Sequence, residues 1–257
     1  MYVKAEKRDQ IGIISLGNQK KRNALSRAMM EELMAAMETL REERVRALIL
    51  TAGMEGQVWS AGHDINELPE GEDPLLYSDP MEQLLRAVRH FPAPVIAMVH
   101  GSVLGGATDL VLSCDLVIGD ETCSFAITPV NLGLPYNTVG TLNFMRRLPL
   151  SAAKEMMFTA RPITAEEADH WNLLNHLVPA ADLERYTLDL ARSIATKAPL
   201  AVAAIKEQLR MLGDSAPLQP GIFERIQELR NNVYKSRDYR EGIRAFKEKR
   251  KPEFRGE

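Results

Sequence analysis

The stretch PVIAMVHGSVLGGATDLVLSCDLVIGDETCSFAI, residues 94 to 127, decides the fold class. Its opening PVIAMVHG is a short apolar run, which predicts a buried strand. GGATDLVLSC is then typical of a short buried helix, and DLVIGDETCSFAI predicts one or two further strands. A strand, a helix and a strand in succession indicate a crossover unit of an α/β fold.

The chain before this stretch shows the same alternation. Ile11 to Leu16 and Val45 to Thr51 predict strands, and Ser26 is placed to cap a helix between them. The apolar residues of that helix recur at helical spacing: Met30, Leu33, Met37 and Leu40. AGMEGQVWSAGHD predicts a glycine-punctuated loop, and MEQLLRAVRHF a second amphipathic helix.

The pattern changes after about Leu150, where helical segments follow one another and only LLNHLV predicts a strand. We therefore expect an α/β core over residues 1–200 and a helical oligomerisation region over residues 201–257. The last region carries apolar residues that need a partner surface, which favours a homo-oligomer: Ile222, Phe223, Ile226 and Leu229.

Composition excludes several function classes. The 257 residues are 45% hydrophobic and 26% charged, with a net charge of -3, which argues against nucleic acid as a partner. The chain shows neither a signal-peptide core nor an apolar run long enough to span a membrane. Two cysteines, Cys114 and Cys123, do not make a disulfide framework, so we expect a cytoplasmic protein. The five histidines show no metal-ligand spacing, so no metal site is predicted.

Three loops could carry chemistry, because ligands of α/β folds gather beyond the carboxyl ends of strands. The first contains SAGHDI, residues 60 to 65, and the second HGSVLGGATD, residues 100 to 109. Glycines at a strand-to-helix turn let the backbone approach a ligand, and the first helical N–H groups can hold an oxyanion. The same glycines could equally serve close helix–strand packing. His63 could act through its backbone N–H or its imidazole, and Asp64 is most simply an N-cap.

The third loop, FAITPVNLGLPYN, runs from Phe125 to Asn137 and contains no Asp, Glu, His, Lys or Arg. Its only group with a titratable proton is the Tyr136 phenol. The loop is either packing or part of a site that works without a strong acid or base.

NALS, SAGHDI, GSVLGGATDL, FAITPVNLGLP and REGIRAFKEKRKPEF occur in an order that resembles the crotonase (enoyl-CoA hydratase/isomerase) superfamily. The resemblance covers nearly the whole chain. It implies a crotonase-like spiral of ββα units, a C-terminal helical trimerisation region, and a homotrimer or dimer of trimers. It also implies an acyl-CoA thioester substrate, with CoA as part of the substrate and no separate cofactor.

The resemblance also assigns residues. Two backbone N–H groups, those of His63 and Gly106, would form an oxyanion hole. The CoA contacts would fall on Ala61, Gly62, His63, Asp64 and Ile65, and Lys249 would meet a CoA phosphate, from the same or a neighbouring subunit. Without the resemblance, Lys249 is part of a solvated charge run.

The reaction type depends on what this chain lacks. Hydratases of the superfamily use two glutamates, whose positions here carry Asp109 and either Pro129 or Val130. A two-carboxylate mechanism therefore lacks one partner. Decarboxylation of a malonyl-type thioester needs only an oxyanion hole and a group that orients the carboxylate, which we expect to be Tyr136 with Thr128 beside it.

Together with the missing carboxylate, the resemblance implies conversion of methylmalonyl-CoA to propionyl-CoA and CO2, while the residues themselves leave the acyl group open among malonyl, methylmalonyl and ethylmalonyl. The alternatives are an acyl-CoA hydratase or hydrolase that uses Asp109 with water, and a non-catalytic binding protein. The proton donor to the enolate stays open between water and the His63 imidazole.

Overall fold

The computed structural model describes residues 1–53, 56–69, 73, 76–213 and 219–256. Its strands are β1 Val3–Arg8, β2 Ile11–Leu16, β3 Ala47–Ala52, β4 Val58–Ser60, β5 Val95–Val99, β6 Ser102–Leu104, β7 Leu116–Asp120, β8 Ser124–Ala126 and β9 His176–Val178. Over the described residues, six of them form a sheet in the order β1-β2-β3-β5-β7-β9, parallel except for the antiparallel pair β1 and β2. The short strands β4, β6 and β8 form a second, parallel sheet.

The α-helices connect and cover these strands. Their bounds are α1 Arg27–Glu42, α2 Pro80–Arg89, α3 Gly106–Leu112, α4 Thr138–Arg147, α5 Leu150–Thr159, α6 Ala165–His170, α7 Leu183–Ala195, α8 Pro199–Gly213, α9 Pro220–Tyr234 and α10 Arg237–Lys247. A 3-10 turn over Pro129–Leu132 lies in the third loop. None of the helices in the described ranges is long and apolar enough to cross a membrane.

The central strands β2, β3, β5 and β7 of the main sheet are buried on both faces, as expected for parallel strands built by crossovers. Strand β2 shows how its residues divide between the two cores: Ile11 and Ile13 pack towards α7, whereas Ile14 and Leu16 belong to the larger core with α1, α2 and α3. Every residue of β3 is buried. The larger core lies between the main sheet and the short sheet, whose strands lead into the candidate site.

Most elements predicted from the sequence are present. Ser26 caps α1 by accepting a hydrogen bond from the Met29 N–H, and β2, β5, α3 and β7 lie where apolar runs predicted them. The prediction of a plain loop over AGMEGQVWSAGHD was wrong at Val58–Ser60, and β1 and β6 were also missed. Three-residue strands are too short to produce a readable hydrophobic period. Residues 54–55 of that loop, and residues 214–218 and 257 of the predicted helical region, lie outside the described residues.

The C-terminal helices fold back onto the chain's own candidate site. Arg230 of α9 forms a buried ion pair with Asp73 at 2.7 Å, and the Tyr234 hydroxyl lies 3.0 Å from the same carboxylate. The Tyr239 hydroxyl donates to the Pro69 carbonyl at 2.6 Å. These contacts hold the segment that follows the first loop.

Replacing Arg230 by Leu should lower the free energy of unfolding by about 3–5 kcal/mol, because a buried carboxylate loses its cation. Urea denaturation at a fixed protein concentration measures this. The matched control is Arg225→Leu on the same helix, whose pair with Glu228 is more than half exposed and should cost no more than about 1 kcal/mol. Equal losses in the two variants would contradict a special role for the buried pair.

Candidate active site

The three loops meet at one cavity of about 80 Å³. Its lining includes residues from each loop and from α3: Ala61, His63, Gly106, Asp109, Thr128 and Tyr136. Met81 and Leu85 of α2 add apolar surface. The volume is far below the roughly 300–1,000 Å³ of a pocket that encloses a whole drug-sized ligand, so it suits a small acyl group.

Two backbone N–H groups face each other at this cavity, those of His63 and Gly106. Each follows a glycine in the left-handed region, Gly62 at φ 83° and Gly105 at φ 55°. A Cβ at Gly62 would lie 3.1 Å from the Gly106 nitrogen and would overlap the Leu104 carbonyl oxygen. Within the described part of the chain, neither N–H donates a hydrogen bond to protein. Two unpaired, converging donors are the arrangement that stabilises an oxyanion.

The NALS segment holds the first donor loop in place. The Leu25 N–H donates to the Gly62 carbonyl at 2.7 Å, and the Asp64 N–H donates to the Leu25 carbonyl at 3.2 Å. The His63 N–H lies between these two hydrogen bonds and points away from Leu25. The Ser60 hydroxyl donates to the Asn23 carbonyl at 2.7 Å, which ties the preceding strand to the same segment.

The third loop brings a phenol to the opposite wall. The Tyr136 ring packs edge-on against Phe144, with centroids 5.6 Å apart. Its hydroxyl lies 3.3 Å from Oδ2 of Asp109, a side chain only 2% exposed. Thr128 stands beside the second donor loop, since a Cβ at Gly105 would lie 3.0 Å from its hydroxyl. The phenol and the donors therefore share one cavity.

Comparison with known proteins identifies the family of this chain. The Enoyl-CoA hydratase/isomerase family model matches residues 6–257. The chain belongs to that family. Methylmalonyl-CoA decarboxylase of Escherichia coli (strain K12) is 47% identical over 99% of this chain and 98% of its own length. Enoyl-CoA hydratase domain-containing protein 3, mitochondrial, of Homo sapiens is 36% identical over 96% of this chain and 82% of its own.

A solved structure of methylmalonyl-CoA decarboxylase in complex with 2-nitronate-propionyl-CoA matches with a TM-score of 0.98, at 47% identity over 100% of this chain and 99% of that one. The crotonase fold expected from the ordered motifs is thereby confirmed.

Within this enoyl-CoA hydratase/isomerase fold, sequence reasoning missed a second buried carboxylate. Glu82 of α2 is 3% exposed and accepts a hydrogen bond from the Asn137 amide. Asn143 of α4 donates to Asp109 Oδ1 at 3.1 Å. Glu82 lies inside an amphipathic helix that gave no sign of which side chains face the site, so only the packing of α2 against α3 reveals it.

Burial governs the ionisation of these groups. It raises the pKa of Asp109, against the smaller lowering effects of Asn143, Arg89 and the Tyr136 hydroxyl. It also raises the pKa of Glu82, and repulsion between the Glu82 and Asp109 carboxyl groups raises it further. The pKa of Tyr136 lies well above its ordinary value, because its phenol is buried beside Asp109. The phenol therefore keeps its proton at neutral pH.

Burial lowers the pKa of His63, which leaves the imidazole neutral at neutral pH. Glu67, Asp79 and Asp64 act in the opposite direction and only partly offset the burial. A neutral imidazole is a weaker acid than an imidazolium, so the backbone N–H is the stronger contribution of this residue to the cavity.

Three of the predicted binding residues are not part of the cavity lining: Gly62, Asp64 and Lys249. The Asp64 carboxylate accepts from the Asn66 N–H at 3.1 Å and lies 3.4 Å from Lys21 Nζ, so it caps the turn Ile65–Glu67 as a helix start would require. Lys249 is exposed and follows α10, at φ 54°. Ile65 lines the cavity, and Gly62 shapes it through its backbone.

Replacing Asp109 by Asn should stabilise the protein increasingly as pH rises. The folded chain holds the Asp109 proton more tightly than the unfolded chain, which releases it near the usual pKa of 3.8, because burial raises the pKa of the folded state. Wild-type stability from this group is therefore complete below that pKa and is lost as pH rises towards the raised pKa of the folded state. The difference between variant and wild type should grow by about 1.4 kcal/mol per pH unit.

Denaturant unfolding of both proteins between about pH 5 and about pH 7 measures this slope. A constant difference over that range would mean that Asp109 is already ionised in the folded protein.

Proposed function

We propose that this protein decarboxylates methylmalonyl-CoA to propionyl-CoA and CO2, with no cofactor beyond the CoA of the substrate. One observation carries the proposal: a cavity of acyl size joins the N–H groups of His63 and Gly106 to the phenol of Tyr136. The similarity to methylmalonyl-CoA decarboxylase over nearly the whole chain supports the same reaction.

The thioester carbonyl oxygen would accept both N–H groups. As the bond to the carboxylate breaks, its electron pair moves into the thioester and the negative charge grows on that oxygen. The two donors bind the enolate oxygen more tightly than the neutral carbonyl, and each is worth roughly 3–4 kcal/mol in comparable sites. A backbone pair held by Gly62 and Gly105 needs no rearrangement during the reaction.

Tyr136 would orient the departing carboxylate, with Thr128 lining the same space. The bond to CO2 must stand perpendicular to the thioester plane for its electrons to enter the π system. A phenol that keeps its proton holds the carboxylate in that position by one hydrogen bond. Since it carries no charge, it stabilises the ground-state carboxylate less than Arg or Lys would, which preserves the driving force for loss of CO2.

The CoA portion would follow the backbone of residues 61–65 out of the cavity, and Lys249 would meet a phosphate. The exposed position of Lys249 fits a contact with CoA bound by a neighbouring subunit. We infer a homotrimer or a dimer of trimers, because the C-terminal helices expose apolar side chains that a partner could cover: Leu209, Leu212, Ile222, Phe223 and Leu229.

We also infer a cytoplasmic location for this enzyme. Cys114 and Cys123 are both free and buried, which suits a reducing compartment.

Hydration or hydrolysis of an acyl-CoA is the second candidate, because Asp109 lines the cavity and could activate water. The cavity wall at the other hydratase position is Pro129, which cannot exchange a proton. A binding protein without activity is less well supported, since both donors remain unpaired and directed at the cavity.

Purified protein should release CO2 from methylmalonyl-CoA and leave crotonyl-CoA unhydrated. In Tyr136→Phe, kcat/KM should fall about 10- to 100-fold, because a hydrogen bond to a charged group is worth about 1.5–3 kcal/mol. Measurements of CO2 release and of the thioester products test the reaction of the wild type and the loss in Tyr136→Phe. Rapid hydration of crotonyl-CoA without CO2 release would favour the second candidate.

Gly106→Pro removes one oxyanion donor and should lower kcat about 10²- to 10³-fold. Proline is accepted at the first position of a helix, where the N–H has no partner within the helix. The matched variant Gly106→Ala keeps the N–H; its Cβ would lie 3.1 Å from the flexible end of Met81 and 3.8 Å from the His63 nitrogen, an ordinary van der Waals contact. Gly106→Ala should therefore lose far less of kcat than Gly106→Pro. Unchanged turnover in both Gly106→Pro and Tyr136→Phe would mean that the reaction occurs elsewhere.

A further inference from the structure

We propose that Asp109 is a neutral carboxylic acid that donates its hydrogen bond to the Tyr136 oxygen and so turns the phenol proton towards the substrate carboxylate. Glu82 is the positioning residue that maintains this arrangement. The inference deepens the proposed decarboxylation and rests on it for the identity of the substrate.

The surroundings of Asp109 favour the neutral form. The residue is 2% exposed, and in the described part of the chain the hydrogen-bond partners of its two oxygens are the Asn143 amide and the Tyr136 hydroxyl. Among the residues that the structure describes, no Lys, Arg or His approaches Asp109 within 4.0 Å. An ionised carboxylate buried without a cation is costly, and protonation removes that cost.

Glu82 is better equipped to carry a negative charge than Asp109. It accepts from the Asn137 amide, and Arg86 lies 4.0 Å away on the next turn of α2. Two buried carboxyl groups that repel each other do not ionise together at neutral pH, so the one with the cation takes the charge. The ionised Glu82 then holds the proton on Asp109, as in sites where two environments separate a pair of carboxyl groups.

The other charged or titratable groups around Asp109 are few. Helix α2 contributes Arg89, whose attraction lowers the pKa values of both Asp109 and Glu82, and the third loop contributes Tyr136. Helix α4 contributes Asn143, which carries no charge. Arg89 lies beyond ion-pair distance of both carboxyl groups, so it weakens the effect of burial without reversing it.

The first turn of α4 fixes the phenol against Asp109. Asn137 caps this helix by accepting from the Gly140 N–H at 2.8 Å, while its amide nitrogen donates to Glu82. A Cβ at Gly140 would overlap the Tyr136 ring and lie 2.7 Å from Asp109 Oδ2. The bare glycine therefore lets the phenol reach the carboxyl group, and Glu82 anchors the capping residue.

The state of Asp109 decides which way the phenol proton points. An ionised Asp109 can only accept, so Tyr136 would donate to it and would have no proton for the substrate. A second negative charge would also repel the substrate carboxylate. A neutral Asp109 donates to the phenol oxygen, which leaves the phenol proton free to bind that carboxylate. The site then holds an anion without adding a cation.

Infrared difference spectroscopy of the unliganded protein at neutral pH tests the ionisation state. The wild type should show the carbonyl stretch of a neutral carboxylic acid, and Asp109→Asn should lack it. The surface variant Glu38→Gln, altered at an exposed carboxylate, should keep the band. If the wild type and Asp109→Asn have the same carboxylic-acid signal, the proposal is wrong. The measurement uses no substrate, so it stands apart from any failure of the proposed reaction.

The pH dependence of kcat/KM for methylmalonyl-CoA tests the role of Glu82. Activity should fall at alkaline pH as Asp109 ionises. Glu82→Gln removes a negative charge and should move this fall to lower pH, whereas Arg89→Met removes a positive charge and should move it to higher pH. Glu82→Asp should restore the wild-type profile.

Opposite shifts are not expected from a loss of packing alone. Identical profiles in Glu82→Gln, Arg89→Met and wild type would overturn the role of Glu82. If Glu82→Gln does not fold, the pH profile of Arg89→Met alone tests the role of Glu82. An unshifted profile, or a shift of the alkaline fall to lower pH, would overturn that role.

Discussion

The active site depends on one close approach between two backbone turns. Gly62 lies against the Leu104 carbonyl and the Gly106 nitrogen, at a distance that a side chain would not allow. This contact places the N–H groups of His63 and Gly106 on the same cavity. Because both turns end strands of the short sheet, the sheet that sequence patterns did not predict is what sets the spacing of the two donors.

Around these donors, the chain places little charge in contact with the substrate. The third-loop residues that line the cavity are apolar apart from the hydroxyl groups of Thr128 and Tyr136, and Asp109 lines the cavity beside them. Glu82 and Asp109 are both buried, and each raises the cost of ionising the other. In the proposed reaction, this arrangement would bind an anionic acyl group by neutral hydrogen bonds, so that binding would not oppose the loss of CO2.

The C-terminal helices also belong to this site rather than to a separate unit. Tyr239 and Arg230 hold the segment after the first donor loop, and α10 lies against the third loop so closely that a Cβ at Gly242 would overlap the Leu132 carbonyl. The outer faces of α8 and α9 expose apolar side chains, among them Leu209 and Phe223, and the proposed homo-oligomer would use these faces.

Sequence alone determined the α/β class, the Ser26 cap, the two glycine-containing donor turns and the phenol of the third loop, because each depends on residues that are neighbours in the chain. The ordered motifs added the family. Only the tertiary structure showed the short sheet, the Glu82–Asn137 contact, the approach of Tyr136 to Asp109 and the turning away of Asp64. These features join residues from α2, α3, α4 and three loops. The ionisation of a buried carboxyl group depends on the burial and charges that such packing creates, and no local pattern in the sequence records them.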